Sequence, residues 1–247
     1  MVSFLITDFK YGGLKMCKEC GCGEIDNEQK EIPVGKEILE ENSKFALHNR
    51  EHLDENGIVM FNLVGSPGAG KTTLLESTIP ELAKEFKIAV IEGDLETDRD
   101  KQRIDKLGVP CHQICTHGAC HLDAKMVHEA LHELDLDDSF DMVFVENVGN
   151  LVCPADFPLG ENFRVVVLST PEGDDKPEKY PSIFYGSDAV VVSKLDLVQY
   201  LDFNLDECKR RSYRVNPKAR FFAMSSKSGD GMNQWLEWVR WAAKSPR

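Results

Sequence analysis

Ile58-Val-Met-Phe-Asn-Leu-Val-Gly-Ser-Pro-Gly-Ala-Gly-Lys-Thr-Thr73 is the stretch that decides the fold. Residues 58–64 form an apolar run of strand length broken only by Asn62, the pattern of a strand covered on both faces. Gly65-x-x-x-x-Gly70-Lys71-Thr72 follows directly, and a helix-like segment follows that. Glycines let such a loop close around an anion. The backbone of Gly65, Ser66, Gly68, Ala69, Gly70, Lys71, Thr72 and Thr73, together with the helix N-terminus, is then expected to cradle phosphates. Lys71 is expected to reach the β- and γ-phosphates, and the Thr72 hydroxyl to hold Mg²⁺.

Outward from this stretch, apolar runs recur at residues 88–91, 109–114, 142–145, 165–168, 189–192 and 219–223, with helix-like segments at 71–86, 97–107, 122–134, 205–213 and 232–243. Pro80 is expected to kink or interrupt the first of these helices. Ahead of the loop, Ile38 and Phe45, and Leu39, Ala46 and Leu53, fall at seven-residue offsets on one helical face. Strands alternating with helices predict an α/β fold: a mostly parallel, twisted sheet of about seven strands with helices on both faces, a P-loop NTPase. Residues 1–33 read as a flexible tail carrying a cysteine cluster, and residues 34–247 as the P-loop domain, a GTPase domain if the guanine-reading elements described below hold. Chemistry in such sheets gathers at the carboxyl ends of the strands.

Acids outnumber bases 42 to 29, a net charge of −13, which repels a phosphate backbone and argues against nucleic acid as a partner. No run of about 18 apolar residues suggests a membrane span. The opening MVSFLITDFKYGGLK lacks the charged start, long apolar stretch and cleavage site of a secretory signal, so a cytoplasmic location is expected. The eight cysteines cluster instead of spacing out, which points to metal or redox chemistry and away from structural disulfides.

The phosphate loop does not choose between ATP and GTP. Ser193-Lys194-Leu195-Asp196, after the run 189–192, resembles the guanine-reading N/T-K-x-D element. The Asp196 carboxylate would accept from guanine N1–H and N2–H, donors that adenine lacks, and Lys194 would lie along the base. Ser225-Ser226-Lys227-Ser228-Gly229 resembles the loop that meets guanine O6, with Ser226 and Lys227 in contact. For hydrolysis, Glu92-Gly-Asp94 and Glu146-Asn-Val-Gly-Asn150 bring carboxylates to the pocket rim. Asp94 is the expected Mg²⁺ contact, Glu146 is placed near the γ-phosphate, and Gly149 offers it an N–H. Asp98 is a candidate switch residue.

Cys120-His121 and Cys153 make a soft N/S set suited to Zn²⁺ or Ni²⁺. Cys153 shares one short segment with Glu146, so a shift at the γ-phosphate would move a metal ligand. Cys17-x-x-Cys20-x-Cys22 offers three thiolates with an open position. His128 with His132, and His48 with His52, each stand four apart on a helix and read as solvated or partly packed faces.

Taken together, the cysteine cluster 17–22, Gly65–Thr72, Gly93-Asp94-Leu95, Cys120-His121-Leu122-Asp123-Ala124, Glu146–Leu151 with Cys153, Glu172-Gly-Asp-Asp-Lys-Pro177 and Lys194-x-Asp196 resemble the HypB family of hydrogenase nickel-insertion GTPases. That family lies in the dimerising P-loop class with urease and cobalamin-enzyme chaperones. The resemblance runs from Met16 to the last helix. It implies a GTPase that couples hydrolysis to nickel insertion, with GTP, Mg²⁺, Ni²⁺ and Zn²⁺ as cofactors. Cys120, His121 and Cys153 would form a metal site at or near a nucleotide-dependent homodimer interface, and Cys17, Cys20 and Cys22 a tight nickel site. Lys71, Thr72, Asp94 and Glu146 would serve nucleotide and Mg²⁺. A HypA-type nickel protein and the hydrogenase large-subunit precursor would be the partners.

Two features depart from the family pattern. Ser193 replaces an asparagine, which leaves that residue's loop-bracing hydrogen bond open, and residues precede Met16, the expected start. The chain also lacks a histidine-rich storage run. The rivals are an ATP-dependent P-loop kinase, a metal buffer with vestigial nucleotide binding, and a urease-type accessory GTPase.

Overall fold

The computed structural model of the chain describes residues 34–94 and 99–244. Among them, seven strands form one parallel sheet: β1 (Val59–Val64), β2 (Ile88–Asp94), β3 (Cys111–Cys115), β4 (Met142–Glu146), β5 (Phe163–Ser169), β6 (Ala189–Ser193) and β7 (Arg220–Ala223). They lie in the order β3-β2-β4-β1-β5-β6-β7, so the strand that leads into the phosphate loop is at the centre. Every residue of β1 is buried, because both faces of a parallel sheet are covered by the helices that connect its strands.

The period of two along the strands divides the core. Phe61, Leu63, Val165 and Val167 meet α2 (Lys71–Leu82) and α8 (Met232–Lys244) on one face. On the other face Met60, Ala89, Val143 and Val145 pack with Leu53 of α1 (Val34–Glu55) and Val127 and Leu131 of α4 (Ala124–Glu133). Toward the β6 side of that face, Val166, Leu168, Val190 and Val192 join α6 (Pro181–Tyr185) and α7 (Leu205–Val215). Short helices α3 (Arg99–Asp105) and α5 (Lys176–Lys179) complete the connections.

Three expectations shift. The helix over 71–86 ends at Leu82, with Pro80 in its last turn, where proline supplies no N–H to continue the ladder. The run 109–114 yields a shorter, half-buried edge strand, Cys111–Cys115. On α1, Ile38 and Leu39 are 50% and 40% exposed. The buried stripe there begins at Asn42 and continues through Ala46, Asn49 and Leu53.

Candidate functional site

The phosphate loop joins β1 to α2 and places Lys71 and Thr72, both buried, at the first turn of the helix. Gly70 precedes the helix at φ 96°, a left-handed conformation that a side chain would strain. Lys71 Nζ donates to the Gly65 carbonyl at 3.5 Å, which folds the side chain back over the loop. A cavity of about 360 Å³ opens above the loop, lined by its residues together with Glu92, Asp94, Asp100, Arg103, Glu146, Gly149 and Lys194. A parallel sheet delivers the carboxyl ends of β1, β2 and β4 to one edge. In register, Glu92 faces Glu146 across β2 and β4, and Leu63 faces Glu146 across β1 and β4.

Thr72 Oγ1 donates to Glu146 Oε1 at 2.8 Å. Glu92, Asp100 and Glu146 bring carboxylate oxygens within 4.8 Å of one another. Burial, then the neighbouring Glu146, Asp94 and Asp100, push the Glu92 carboxyl up to about 8 against the pull of Lys71. Burial raises Glu146 to about 7, opposed by Lys71 and the Thr72 hydroxyl. Glu92 Oε2 and Glu146 Oε2 are buried without a hydrogen-bond partner among the described residues. Hard oxygen donors, surplus negative charge and unpaired buried oxygens beside a threonine hydroxyl fit a Mg²⁺ ion. Asp94 lines the same cavity but stands outside this trio. Glu92 and Asp100 therefore join the candidate set. Asp100 comes from α3, which Arg103 fastens to α2 by donating to Glu76 Oε1 and Oε2 and to Thr73, while also holding Asp100 on its own helix. No local spacing in the sequence marks α3 as a neighbour of the loop.

Beside the loop, Gly70, Thr73, Ser193, Lys194, Asp196 and the segment 225–227 line a second cavity of about 280 Å³. Lys194, in a left-handed conformation at φ 57°, donates from Nζ to the Gly68 carbonyl at 2.6 Å. Asp196 Oδ1 accepts from the buried Ser225 hydroxyl at 2.6 Å, which aims the carboxylate, and Ser226 and Lys227 stand on the same wall. Ser193 Oγ donates to the Ala69 carbonyl at 2.5 Å. The shorter side chain thus braces the phosphate loop from the position where the family pattern has asparagine. In this loop the sequence singles out Ser226 and Lys227, but Ser225 is the residue that orients Asp196.

From Glu146 the chain runs along the loop to the thiolates. A Cβ on Gly149 would stand 2.8 Å from Pro67 Cα, so only glycine allows this approach. Asn150 accepts from Val152 N–H and donates to the Cys120 carbonyl at 3.2 Å. Cys153 opens a 3₁₀ turn, Cys153–Ala155. The Cys120 thiol donates to Cys153 Sγ at 2.8 Å, and His121 Nδ1 is 3.6 Å from Cys120 Sγ. One ligand atom from each of Cys120, His121 and Cys153 lies within 4.8 Å of the others, the soft set expected for Zn²⁺ or Ni²⁺. Burial holds the His121 imidazole below its ordinary value against the Asp123 carboxylate. The hydrogen bond to Cys153, then burial, raises the Cys120 thiol, so metal capture there releases a proton. Cys17, Cys20, Cys22, Leu95 and Asp98 lie outside the described residues.

The profile of the family described as CobW/HypB/UreG, nucleotide-binding domain, matches residues 59–223. A hydrogenase maturation factor HypB from Azotobacter chroococcum is 46% identical over 209 residues, covering 84% of this chain and 68% of the relative. The crystal structure of HypB from Archaeoglobus fulgidus superposes with a TM-score of 0.78 at 39% identity, over 83% of this chain and 99% of that one. HypB from Helicobacter pylori, solved in complex with nickel, gives a TM-score of 0.77 at 39% identity, over 83% and 95%.

Proposed function

The chain belongs to the CobW/HypB/UreG nucleotide-binding family, within it to the HypB hydrogenase maturation factors, and on that premise we propose that it is a GTP-hydrolysing metallochaperone. It takes nickel as cargo at Cys120, His121 and Cys153 and couples GTP hydrolysis to insertion of that nickel into the hydrogenase large-subunit precursor. Zn²⁺ competes for the same thiolates. A HypA-type nickel protein and a nucleotide-dependent homodimer complete the working assembly.

The observation that carries this reading is the path of one short segment. Its first residue, Glu146, bonds Thr72 in the phosphate pocket; its middle, Gly149, presses on Pro67; its end, Cys153, touches Cys120. In hydrolysis, Lys71 and the loop N–H groups hold the phosphates, and Gly149 N–H meets the γ-phosphate. Asp196, aimed by Ser225, admits guanine and excludes adenine. Thr72, Glu92, Glu146 and Asp100 would hold Mg²⁺, with Asp94 at the rim; when bound, the ion neutralises charge on the phosphates. Loss of the γ-phosphate removes its contact with the Gly149 N–H, and the resulting shift of the segment is carried to Cys153, opening the thiolate set for transfer.

Nickel and zinc binding by the purified chain, measured with GTP and with GDP and repeated with Cys153→Ala, tests the reading. Affinity should differ between nucleotides by about 5- to 150-fold, and the substitution should erase the difference. Equal affinities in both nucleotides would sink the coupling.

A further inference from the structure

His48 and His52 stand four apart on α1, and His128 and His132 four apart on α4. Neither pair is distinctive alone, but α1 packs on α4 and sets them face to face. Ring centroids are 4.8 Å apart for His48 and His128, 5.8 Å for His52 and His132, and 4.5 Å for His128 and His132. His48 and His132 are exposed and His52 and His128 half-buried, so apolar packing does not account for four imidazoles in one seam.

Asn49 decides the state of His128. Its Nδ2 donates to the Ala124 carbonyl at 2.8 Å and to the Leu159 carbonyl at 3.0 Å, which uses both amide hydrogens. Its Oδ1 therefore only accepts, and it lies 3.0 Å from His128 Nδ1. Nδ1 carries the proton, and Nε2 keeps its lone pair. A hydrogen bond on the far nitrogen that fixes tautomer and ring is what a metal-binding histidine characteristically has. Burial, followed by the charges of His132, His48 and His52, also holds the His128 pKa down.

We propose that α1 and α4 hold a divalent transition-metal ion, Ni²⁺ or Zn²⁺, between these two histidine pairs. His128 Nε2 is the fixed ligand, and the exposed rings of His48 and His132, with His52 beside them, turn onto the ion. Two imidazoles four apart on one helix face already chelate such ions, and nitrogen donors suit both metals. The site is all-nitrogen and separate from Cys120, His121 and Cys153, so it stands whether or not nickel is the cargo there.

The test uses the full chain with Cys17, Cys20, Cys22, Cys120, Cys153 and the exposed Cys115, which lies 3.7 Å from His117 Nδ1, each changed to Ser, titrated with Zn²⁺ and with Ni²⁺ by calorimetry. We expect about one equivalent to bind, with affinity falling at least tenfold when His48→Ala and His132→Ala are added, since losing even an outer-shell partner of a ligand costs about 10- to 100-fold. Both substituted side chains are exposed, and unchanged GTP binding confirms the fold. A chain that binds no ion once the thiolates are removed, or that binds equally well without His48 and His132, overturns the proposal.

Discussion

Asp196 gains its direction from one neighbour. The Ser225 hydroxyl fixes Oδ1 at 2.6 Å, which on the proposed reading holds the carboxylate in place for two guanine donors. Asp196→Ala should weaken GTP binding by about 2 kcal/mol, roughly thirtyfold, while leaving ATP binding unchanged; competition between the two nucleotides measures it. Glu161 shows the opposite degree of legibility. As a charge in a loop it reads as surface, yet Arg164 Nε donates to it at 2.7 Å, Asn62 Nδ2 at 3.1 Å and Leu159 N–H at 2.7 Å. Burial alone would raise its pKa, but Arg164, Asn62 and the backbone donors together hold it below the ordinary range. A carboxyl depressed in the folded state stabilises fully above the unfolded value of about 4.3 and loses that contribution as pH falls through the folded value. Glu161→Ala should therefore cost about 3–5 kcal/mol near neutral pH, because Arg164 is left buried and unpaired. The gap to wild type in urea unfolding should narrow as pH drops below about 4. Lys71, Thr72 and Lys194-x-Asp196 were legible because motif spacing encodes them. Glu161, Asp100 and Arg103 were not, because only the chain path brings their partners to them.

Elements were legible where periodicity dominates and misread where polar side chains do the packing. The α1 stripe was expected to run through Ile38 and Leu39, but the contact surface is built on Asn42 and Asn49. Asn42 donates to the Pro158 carbonyl and accepts from Ala124 N–H, both at 2.9 Å or less. Asn49, fully buried, ties α1 to Ala124 and Leu159. A hydrophobicity count assigns asparagine to the outside, so the apolar period reveals Ala46 and Leu53 of this seam but not its asparagines. Asn49→Ala strands two buried carbonyls. It should lower stability by about 2–4 kcal/mol and the melting temperature by roughly 4–16 °C, while the phosphate pocket still binds GTP. A melting temperature within a degree of wild type would show that the asparagines do not fasten α1.

For the whole molecule, a parallel sheet places phosphate loop, carboxylates and base reader on one edge, and the strand alternation around Gly65–Thr72 was enough to anticipate it. The sequence also located the bridge, since Glu146 and Cys153 are neighbours in the chain, but it did not show how the bridge is seated. That depends on Gly149 lying where a Cβ would meet Pro67 at 2.8 Å. Linkage makes the factor by which GTP changes Ni²⁺ affinity equal to the factor by which Ni²⁺ changes GTP affinity whatever the route; if this contact carries the signal, that shared factor departs from one only while the contact is intact. Gly149→Ala forces the segment off Pro67 without touching a thiolate or an imidazole. The variant should keep the Ni²⁺ affinity of the GDP-bound wild type, bring both coupling factors close to one, and slow GTP hydrolysis by about tenfold or more as the N–H leaves the γ-phosphate. Paired titrations of each ligand, with and without the other, supply all four constants. Coupling that survives intact in Gly149→Ala would mean the signal reaches Cys153 by another route, and factors of one in the wild type would mean that nucleotide and nickel are not linked through this segment at all.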